Sequence, residues 1–194
     1  VVQNVLAAGT QVIRQNGDPA SVNPTYNGGT TNGVQATSIY SSKAARLAVA
    51  KLRAQKVHPN KGAFYTTYIH PEVSHDLRAE TGNAAWRDPH NYSAAGNIWA
   101  GEIGEYEGSV FIETPRNQNE VNAGTVATRV FQTYTTGQQA LAEAVAEEFH
   151  TVRGPVVDKL TRFQPLGWYG VAGWSLYRPE ALIRTETTSS INAT

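Results

Sequence analysis

The chain has 194 residues, 40% hydrophobic and 16% charged, which fits one globular domain or two small subdomains that share a core. Its 16 Lys and Arg balance its 16 Asp and Glu, so it has no basic field to hold nucleic acid and sequence-specific nucleic-acid binding is disfavoured. It has no Cys, which excludes disulfides and thiolate metal sites, and its apolar runs are far shorter than the roughly 20 residues of a membrane span.

The first residues predict the end of a helix. Val2, Val5 and Leu6 form an apolar stripe, and Gly9 acts as a helix stop. The chain contains no Met, not even at position 1, and its start shows no signal-peptide pattern. We therefore expect it to begin after a cleavage or inside a longer protein, with the first part of this helix missing.

Residues 17–37 predict a long polar loop, because they are almost all Gly, Asn, Pro, Ser and Thr. Its most turn-prone part is Asn27, Gly28 and Gly29, residue types that adopt left-handed conformations at low cost. A loop of this length is either an interaction arm or a disordered linker, and both interpretations stay open.

A capped helix, a strand and a second helix follow. Ser41 or Ser42 caps the first helix, which runs to about Gln55. Bulky residues on both faces indicate a strand over 63–69 inside a helix-covered sheet, and Pro71 opens a helix to about residue 80. The apolar stripe of the first helix consists mainly of small residues that favour close packing on a sheet: Ala44, Ala45, Ala48 and Leu52.

The second half predicts a β-hairpin over 103–113, with Glu107 and Gly108 in its turn, and then another polar loop over 117–124. A strand is expected over 129–134 and a final strand over 181–187, with a frayed tail over 189–194. Thr136 and Gln139 resemble a capping box that opens a helix, whose buried face would hold Leu141, Val145 and Phe149 at four-residue spacing.

The sequence contains only weak signals for a catalytic or metal-binding site. His70 and His75 are five residues apart, which turns them away from each other on a helix and disfavours a metal site. The glutamates at 102, 105, 107 and 113 form a possible carboxylate pair for glycoside chemistry, but in a hairpin they are more often outward partners of Arg or Lys. The aromatic residues Trp168, Tyr169 and Trp174 suggest either a sugar platform or packing against a helix or a neighbouring subunit, and we favour packing.

Three segments in chain order resemble the major capsid proteins of tailed bacteriophages, which share the Hong Kong 97-type fold. They are Tyr65-Thr-Thr-Tyr-Ile-His70-Pro71 with the helix after it, Gly108-Ser-Val-Phe-Ile-Glu-Thr114, and Leu176-Tyr-Arg-Pro-Glu-Ala-Leu-Ile183. The second segment departs from the family pattern at Ser109 and Val110. The resemblance extends over roughly residues 1–190.

This resemblance implies an α+β fold of the Hong Kong 97 type, with a mixed sheet and flanking helices in axial and peripheral subdomains. Residues 1–37 would hold the end of the spine helix and the long polar loop of the peripheral subdomain. Residues 38–160 would form the axial subdomain, and residues 161–194 the C-terminal strands that return to the peripheral subdomain. The family's N-terminal arm and extended loop are absent from this sequence.

The resemblance also implies a structural protein of the virion, with no enzyme activity and no cofactor. As the major capsid protein it would self-assemble into the pentamers and hexamers of an icosahedral shell around the DNA genome. Its partners would be further copies of itself and packaged DNA held without sequence specificity, together with scaffold, portal and decoration proteins, but no membrane.

Two other functions stay open at this point. An encapsulin-like compartment shell shares the fold, and a carbohydrate-binding or carbohydrate-active domain would use the glutamates and tryptophans. For a shell protein, subunit contacts are expected at the polar loops and near the C-terminal aromatic residues: Asn27, Gly28, Gly29, Arg116, Asn117, Asn119, Trp168, Tyr169 and Arg178.

Overall fold

The computed structural model describes residues 2–15, 24–80, 102–160 and 162–191, with the side chains of residues 102, 103 and 126 left aside. Within these ranges the chain is an α+β structure with a mixed eight-stranded sheet and a separate two-stranded sheet. Its helices are α1 (Val2–Ala7), α2 (Ser42–Ala54) and α3 (Pro71–Ala79). Its strands are β1 (Val12–Arg14), β2 (Thr25–Tyr26), β3 (Tyr65–Ile69), β4 (Glu102–Tyr106), β5 (Ser109–Glu113), β6 (Asn119–Glu120), β7 (Val130–Thr136), β8 (Leu141–Arg153), β9 (Leu166–Leu176) and β10 (Leu182–Thr187).

The large sheet has the strand order β2-β1-β10-β7-β3-β5-β4, and β6 also pairs with β7. The β1–β10 and β3–β5 pairs are parallel, whereas the other pairs are antiparallel. Strand β10 lies between β1 and β7, with Val12 opposite Arg184 and Leu182 opposite Thr136. The two ends of the described chain therefore meet in the middle of one sheet.

Helices α2 and α3 pack on this sheet, as their sequences predict. The small residues Ala44 and Ala45 of α2 are buried together with Val73 and Leu77 of α3 against Phe131. Small side chains allow a helix to approach a sheet closely, which explains why the alanine stripe lies on the buried face. The α3 helix begins at Pro71, and none of the helices described here is long and apolar enough to cross a membrane.

The core consists of two neighbouring clusters. The first gathers Ile13, Ala48, Val49, Leu52, Val57, Tyr65, Tyr134, Ala140, Ala181, Leu182 and Ile183. The second gathers Tyr40, Ala44, Ala45, Ile69, Val73, Leu77, Tyr106, Phe111 and Phe131. Helix α2 contributes to both clusters and so connects them.

The predicted hairpin is confirmed in its turn as well as its strands. Strands β4 and β5 flank Glu107 and Gly108, and both turn residues have positive φ, at 49° and 82°. Two consecutive left-handed residues define the type I′ turn, whose twist matches that of the strands.

The helix expected after Thr136 is wrong. Residues 141–153 form strand β8, which pairs antiparallel with β9. Leu141, Val145 and Phe149 do lie at a regular spacing, but four residues are two full periods of a strand as well as about one turn of a helix. Val145 and Phe149 are exposed, since neither faces a core.

The predictions of a polar loop over 17–37 and a frayed tail over 189–194 are only partly met. Residues 17–23 of the predicted loop lie outside the described residues, and the remainder contains β2 and a 3-10 turn at Thr31–Gly33. The frayed tail is wrong for its first residues, because Ser189 is fully buried and donates to the Glu72 carbonyl at 3.2 Å. The boundary predicted between residues 160 and 161 falls in the loop that joins β8 to β9, and the subdomain division stays a prediction.

Candidate subunit-contact surface

A long β-ribbon is largely exposed in the part of the chain that the structure describes, and it is made of β8, β9 and residues 154–160 and 162–165 between them. Its strands pair from Leu141 opposite Leu176 to Arg153 opposite Leu166. Thirteen residues of extended strand span roughly 40 Å. The Ala140 carbonyl accepts the Tyr177 amide at 3.0 Å, so the ribbon leaves and re-enters the body at one point.

The ribbon exposes large apolar side chains along its whole length. Trp168 is 75% exposed and Leu166 is 68% exposed, values that are unusual for residues of this size. Further exposed side chains on the strands are Val145, Phe149, Val152, Tyr169 and Val171, and the connecting loop adds Val156, Val157, Leu160 and Phe163. So many large exposed apolar side chains on one element indicate a site of protein–protein contact.

Cross-strand neighbours order these side chains within the ribbon. The rings of Phe149 and Trp168 lie 5.7 Å apart in a tilted arrangement, and the His150 ring meets Tyr169 edge-on at 6.2 Å. His150 also lies 3.8 Å from the carboxylate of Glu147. These contacts give the ribbon a defined surface even though no core covers it.

Two cavities lie at the base of the ribbon. One, of about 430 Å³, opens between α1 and the Trp174–Leu176 end of β9. The other, of about 680 Å³, is lined by α1, Tyr68, Thr136 and Leu141, and its one charged lining residue is Arg116. Neither lining contains a carboxylate, so neither cavity has the pair of carboxylates that glycoside hydrolysis requires.

The predicted contact residues of the first loop are tied to the sheet. The amide of Asn27 donates to the Val12 carbonyl at 2.7 Å, and its side-chain Oδ1 accepts the Val12 amide at 2.9 Å. The Arg14 guanidinium donates to the carbonyls of Gly28 and Gly29 at 3.3 and 3.2 Å. Asn27 and Gly29 are exposed, so this turn presents a fixed surface whose contact with another subunit stays a prediction.

The second group of predicted contact residues lies partly on the surface and partly in the interior. Arg116 and Asn119 are exposed, and the Arg116 carbonyl accepts a hydrogen bond from Gln3. Asn117 is buried, at 7% exposure, and donates to the Tyr68 carbonyl at 2.7 Å. Its side chain therefore fixes the loop after β5 within the subunit.

The third predicted group lies on and beside the ribbon. Trp168 and Tyr169 are exposed on opposite faces of β9, and they do not pack on a helix of the same chain in the part that the structure describes. Arg178 is half-buried after the ribbon and donates to the Gln55 carbonyl at 3.4 Å. The structure thus places Trp168 beside Leu166 on one face of β9 and Tyr169 beside Val171 on the other, although the sequence did not single out Leu166 or Val171. A signal for them was available, since β9 is eleven residues long without one charge.

Several of the polar groups considered for chemistry have structural partners, while the side chain of Glu102 lies outside the described part of the chain. Glu107 pairs with Arg46 at 3.6 Å and Glu113 with Arg78 at 3.9 Å, which confirms the expected pairing of the hairpin glutamates for these two. His70 caps α3, where its Nδ1 accepts the Glu72 amide at 3.3 Å and its ring lies 4.9 Å from that of Phe131. Among the described residues, no three His, Asp or Glu side chains are close enough to hold a metal ion.

A buried ionic cluster was missed by the sequence reasoning. Glu186 is 1% exposed and accepts from Arg14 at 2.8 Å, Arg184 at 3.0 Å and Thr31 at 2.9 Å. Arg184 in turn donates to the Ala7 carbonyl at the end of α1. These residues lie far apart in the chain, and no local pattern marks them as partners.

Solved capsid structures share this architecture. The capsid of Ralstonia phage GP4 matches with a TM-score of 0.67 at 15% identity, covering 93% of this chain and 53% of that one. The capsid of cyanophage Pam1 matches with a TM-score of 0.58 at 18% identity over 81% and 49%, and the Helicobacter pylori phage KHP30 capsid with 0.59 at 10% over 96% and 64%. The fold is therefore the Hong Kong 97-type capsid fold that the sequence motifs implied.

The family follows from the sequence. The model of the phage capsid protein family matches residues 1–181, and the chain belongs to this family. It is thus a capsid structural protein of a phage, which confirms the resemblance. No protein of curated function matches the chain in sequence. The chain spans about half the length of the GP4 and Pam1 capsid chains.

Proposed function

We propose that this chain is the shell-building part of a major capsid protein, which self-assembles into the pentamers and hexamers of an icosahedral phage head. Family membership over residues 1–181 supports this function. The observation that carries it is the ribbon, which exposes both faces of two long strands and a run of aromatic and aliphatic side chains. A monomer gains nothing from such a surface, whereas a shell subunit buries it against its neighbours.

In this proposal the subdomain division follows the family. Residues 38–160 form the axial subdomain near the ring axes, and residues 1–37 and 161–194 belong to the peripheral one. Heterologous contacts between identical copies close into fivefold and sixfold rings, and a rigid projection such as the ribbon is suited to reach an adjacent copy. The predicted contact residues, from Asn27 to Arg178, are part of the same proposal.

The remaining partners are also proposals. The shell encloses double-stranded DNA without sequence specificity, in agreement with equal numbers of acidic and basic residues. Scaffold, portal and decoration proteins would bind the assembled shell rather than a catalytic cleft, and the protein acts as a building block rather than an enzyme. The family match favours a phage head over an encapsulin-like compartment.

Electron microscopy and light scattering across a concentration series test this function. We expect rings of five or six subunits, or closed shells, and particles that contain DNA genome rather than a cargo enzyme. The double variant Trp168→Ala/Tyr169→Ala should weaken assembly, because it removes exposed aromatic surface from the ribbon. Ile191→Ala, at a 53% exposed position outside the ribbon and the polar loops, is the control and should assemble normally.

The proposal is contradicted if the chain stays monomeric at every concentration and the full-length protein encoded by the longest reading frame that contains it is monomeric as well. Glycan binding that is lost in Trp168→Ala would favour the carbohydrate-binding alternative instead.

A further inference from the structure

The two outer edges of the ribbon differ in chemistry. Strand β8 has two irregularities in its register with β9, between Val145 and Glu147 and between Glu147 and His150, so the strand is bulged, and it carries four charged side chains. Bulges and charges are the means by which natural sheets prevent a strand from pairing at an open edge. The outer edge of β8 is therefore protected.

Strand β9 has none of this protection. It is eleven residues long, contains no charged residue, and within the described part of the chain it pairs with β8 alone. Its outer edge presents backbone amides and carbonyls to which another strand can bind. An isolated two-stranded ribbon is marginal in water, so a third and fourth strand would stabilise it.

The sequence of β9 is nearly symmetric about Val171. It reads Leu-Gly-Trp-Tyr-Gly-Val-Ala-Gly-Trp-Ser-Leu from residue 166 to residue 176. Residues equally distant from the centre match in type: Leu166 with Leu176, Gly167 with Ser175, Trp168 with Trp174, and Gly170 with Ala172. The exception, Tyr169 with Gly173, combines a large ring with a residue that leaves room for it. When the strand pairs antiparallel with its own copy, this symmetry sets aromatic opposite aromatic and aliphatic opposite aliphatic side chains, which are favourable cross-strand pairs.

We propose that β9 pairs antiparallel with β9 of a second copy about a twofold axis through Val171, giving a four-stranded sheet β8-β9-β9-β8. This inference rests on the proposed function, because it names one contact by which the copies associate. The interface is isologous, so one chain supplies both halves. Neither strand has a charge that would repel its partner in this register.

The proposed pairing covers the apolar side chains that are exposed at the outer end of the ribbon. Leu166 and Trp168 are 68% and 75% exposed at the outer end of β9, whereas Trp174 and Leu176 are half-buried near α1 at its base. Antiparallel pairing sets the outer end of one strand against the base of the other. Trp168 then lies opposite Trp174 of the second copy, and the leucines meet likewise. Alternating side chains keep these four residues on one face, where they form a continuous apolar strip.

Cysteine cross-linking tests the symmetry directly, because the chain contains no Cys of its own. In Val171→Cys the two thiols face each other across the axis. Directly opposed residues of an antiparallel pair have Cα atoms about 5 Å apart, a separation that allows a disulfide bond. Mild oxidation of assembled protein should shift the band from one chain to two. Val145→Cys on β8 is the matched control, since Val145 is 49% exposed and Val171 44%, and it should stay at background.

The register has its own test. A mixture of Tyr169→Cys and Gly173→Cys chains should cross-link between the two variants more than either variant does alone, because residue 169 lies opposite residue 173. A Cβ added at Gly173 meets no atom within 4 Å, so this variant should fold. Val171→Lys should in turn weaken self-association relative to Val145→Lys, because it sets two like charges against each other across the axis.

Each outcome decides the inference. If the wild type assembles while Val171→Cys cross-links no more than Val145→Cys, the pairing is overturned and the shell function stands; another segment of a longer chain on the β9 edge would give this result. A wild type that never associates overturns both. Cross-linking of Val171→Cys together with preferential pairing of residues 169 and 173 supports the twofold sheet.

Discussion

At the scale of single residues, Glu186 holds the fold together from a position where a charge is costly. Its carboxylate lies between Arg14 and Arg184, and through them it fixes the turn at Gly28 and Gly29 and the end of α1. A buried carboxylate is tolerable only while its cationic partners remain. One side chain therefore connects three segments that are distant in sequence.

Glu186→Gln should lower the free energy of unfolding by about 3 kcal/mol, because it leaves two largely buried guanidinium groups without their counter-charge. Urea denaturation of the isolated subunit measures this. Glu180→Gln, at an exposed position, is the control and should change stability by less than about 0.5 kcal/mol. Equal stability of the two variants would refute the bridging role.

His70 makes stability depend on pH. Burial lowers the pKa of His70, and this effect exceeds the opposing influence of Glu72, which raises it. The neutral ring is thus favoured in the fold, while the unfolded chain takes up a proton near pH 6.5. Stability therefore rises with pH through the window below about pH 6.5 and is lost as the pH falls through it.

His70→Asn should flatten this decline, since Asn keeps an N-cap acceptor for α3 but does not titrate. Denaturation midpoints at a series of pH values from about 5 to 7 give the slope. His58→Asn, at an exposed position, should leave the wild-type slope unchanged. A slope that is the same in His70→Asn and wild type would rule His70 out as its source.

At the scale of elements, local signals predicted what local interactions decide. The small-residue stripe of α2, Pro71 at the start of α3, and the turn at Gly108 all depend on residues close in sequence. Ser41 lies at the N-cap of α2, but it makes no side-chain capping hydrogen bond. The helix prediction for residues 141–153 was wrong because their structure depends on distant residues. Residues 142–148 are alanines, glutamates and one valine, which favour a helix, and only pairing with the glycine-rich β9 overrides this preference. That partner is up to 35 residues away, from Leu141 to Leu176, beyond the reach of a periodicity argument.

The residues of the candidate contact surface were also predictable from the sequence only where local features decide their exposure. Trp168 and Tyr169 were identified from their residue type alone, but their exposure depends on β8 being a strand rather than a helix that covers them. Asn117 was assigned to the surface because it lies in a polar loop. The structure buries it, since its side chain supplies a donor to the Tyr68 carbonyl.

Close packing across the ribbon can be tested at one glycine. A Cβ added at Gly170 would overlap the Phe149 ring, whereas one added at Gly173 meets no atom within 4 Å. Gly170→Ala should therefore destabilise the ribbon by about 1–3 kcal/mol, and Gly173→Ala should not. Hydrogen exchange of the β8 and β9 amides reports this locally. Equal protection in both variants would show that Phe149 moves aside freely.

At the scale of the whole molecule, the ribbon is separable from the body. The buried residues of both core clusters lie outside 141–176, and only Leu176, at the base of the ribbon, packs against the first cluster from within this range. The ribbon's two ends meet where the Ala140 carbonyl accepts the Tyr177 amide. Replacing residues 141–176 with an Asn-Gly turn should thus leave a folded body. Circular dichroism and thermal unfolding should stay close to wild type, while light scattering shows loss of self-association. A body that unfolds without its ribbon would contradict this division.

The position of β10 has a consequence for when the protein becomes competent to assemble. Strand β1 ends at Arg14, but its parallel partner is residues 182–187, and β10 also separates β1 from β7. A chain still on the ribosome lacks this strand, so its sheet stays open and its N-terminal segment undocked until residue 187 has emerged. Pairing over such a sequence separation is slow and comes late in folding. Under the proposed function, synthesis itself therefore delays association and keeps an unfinished subunit out of a growing shell.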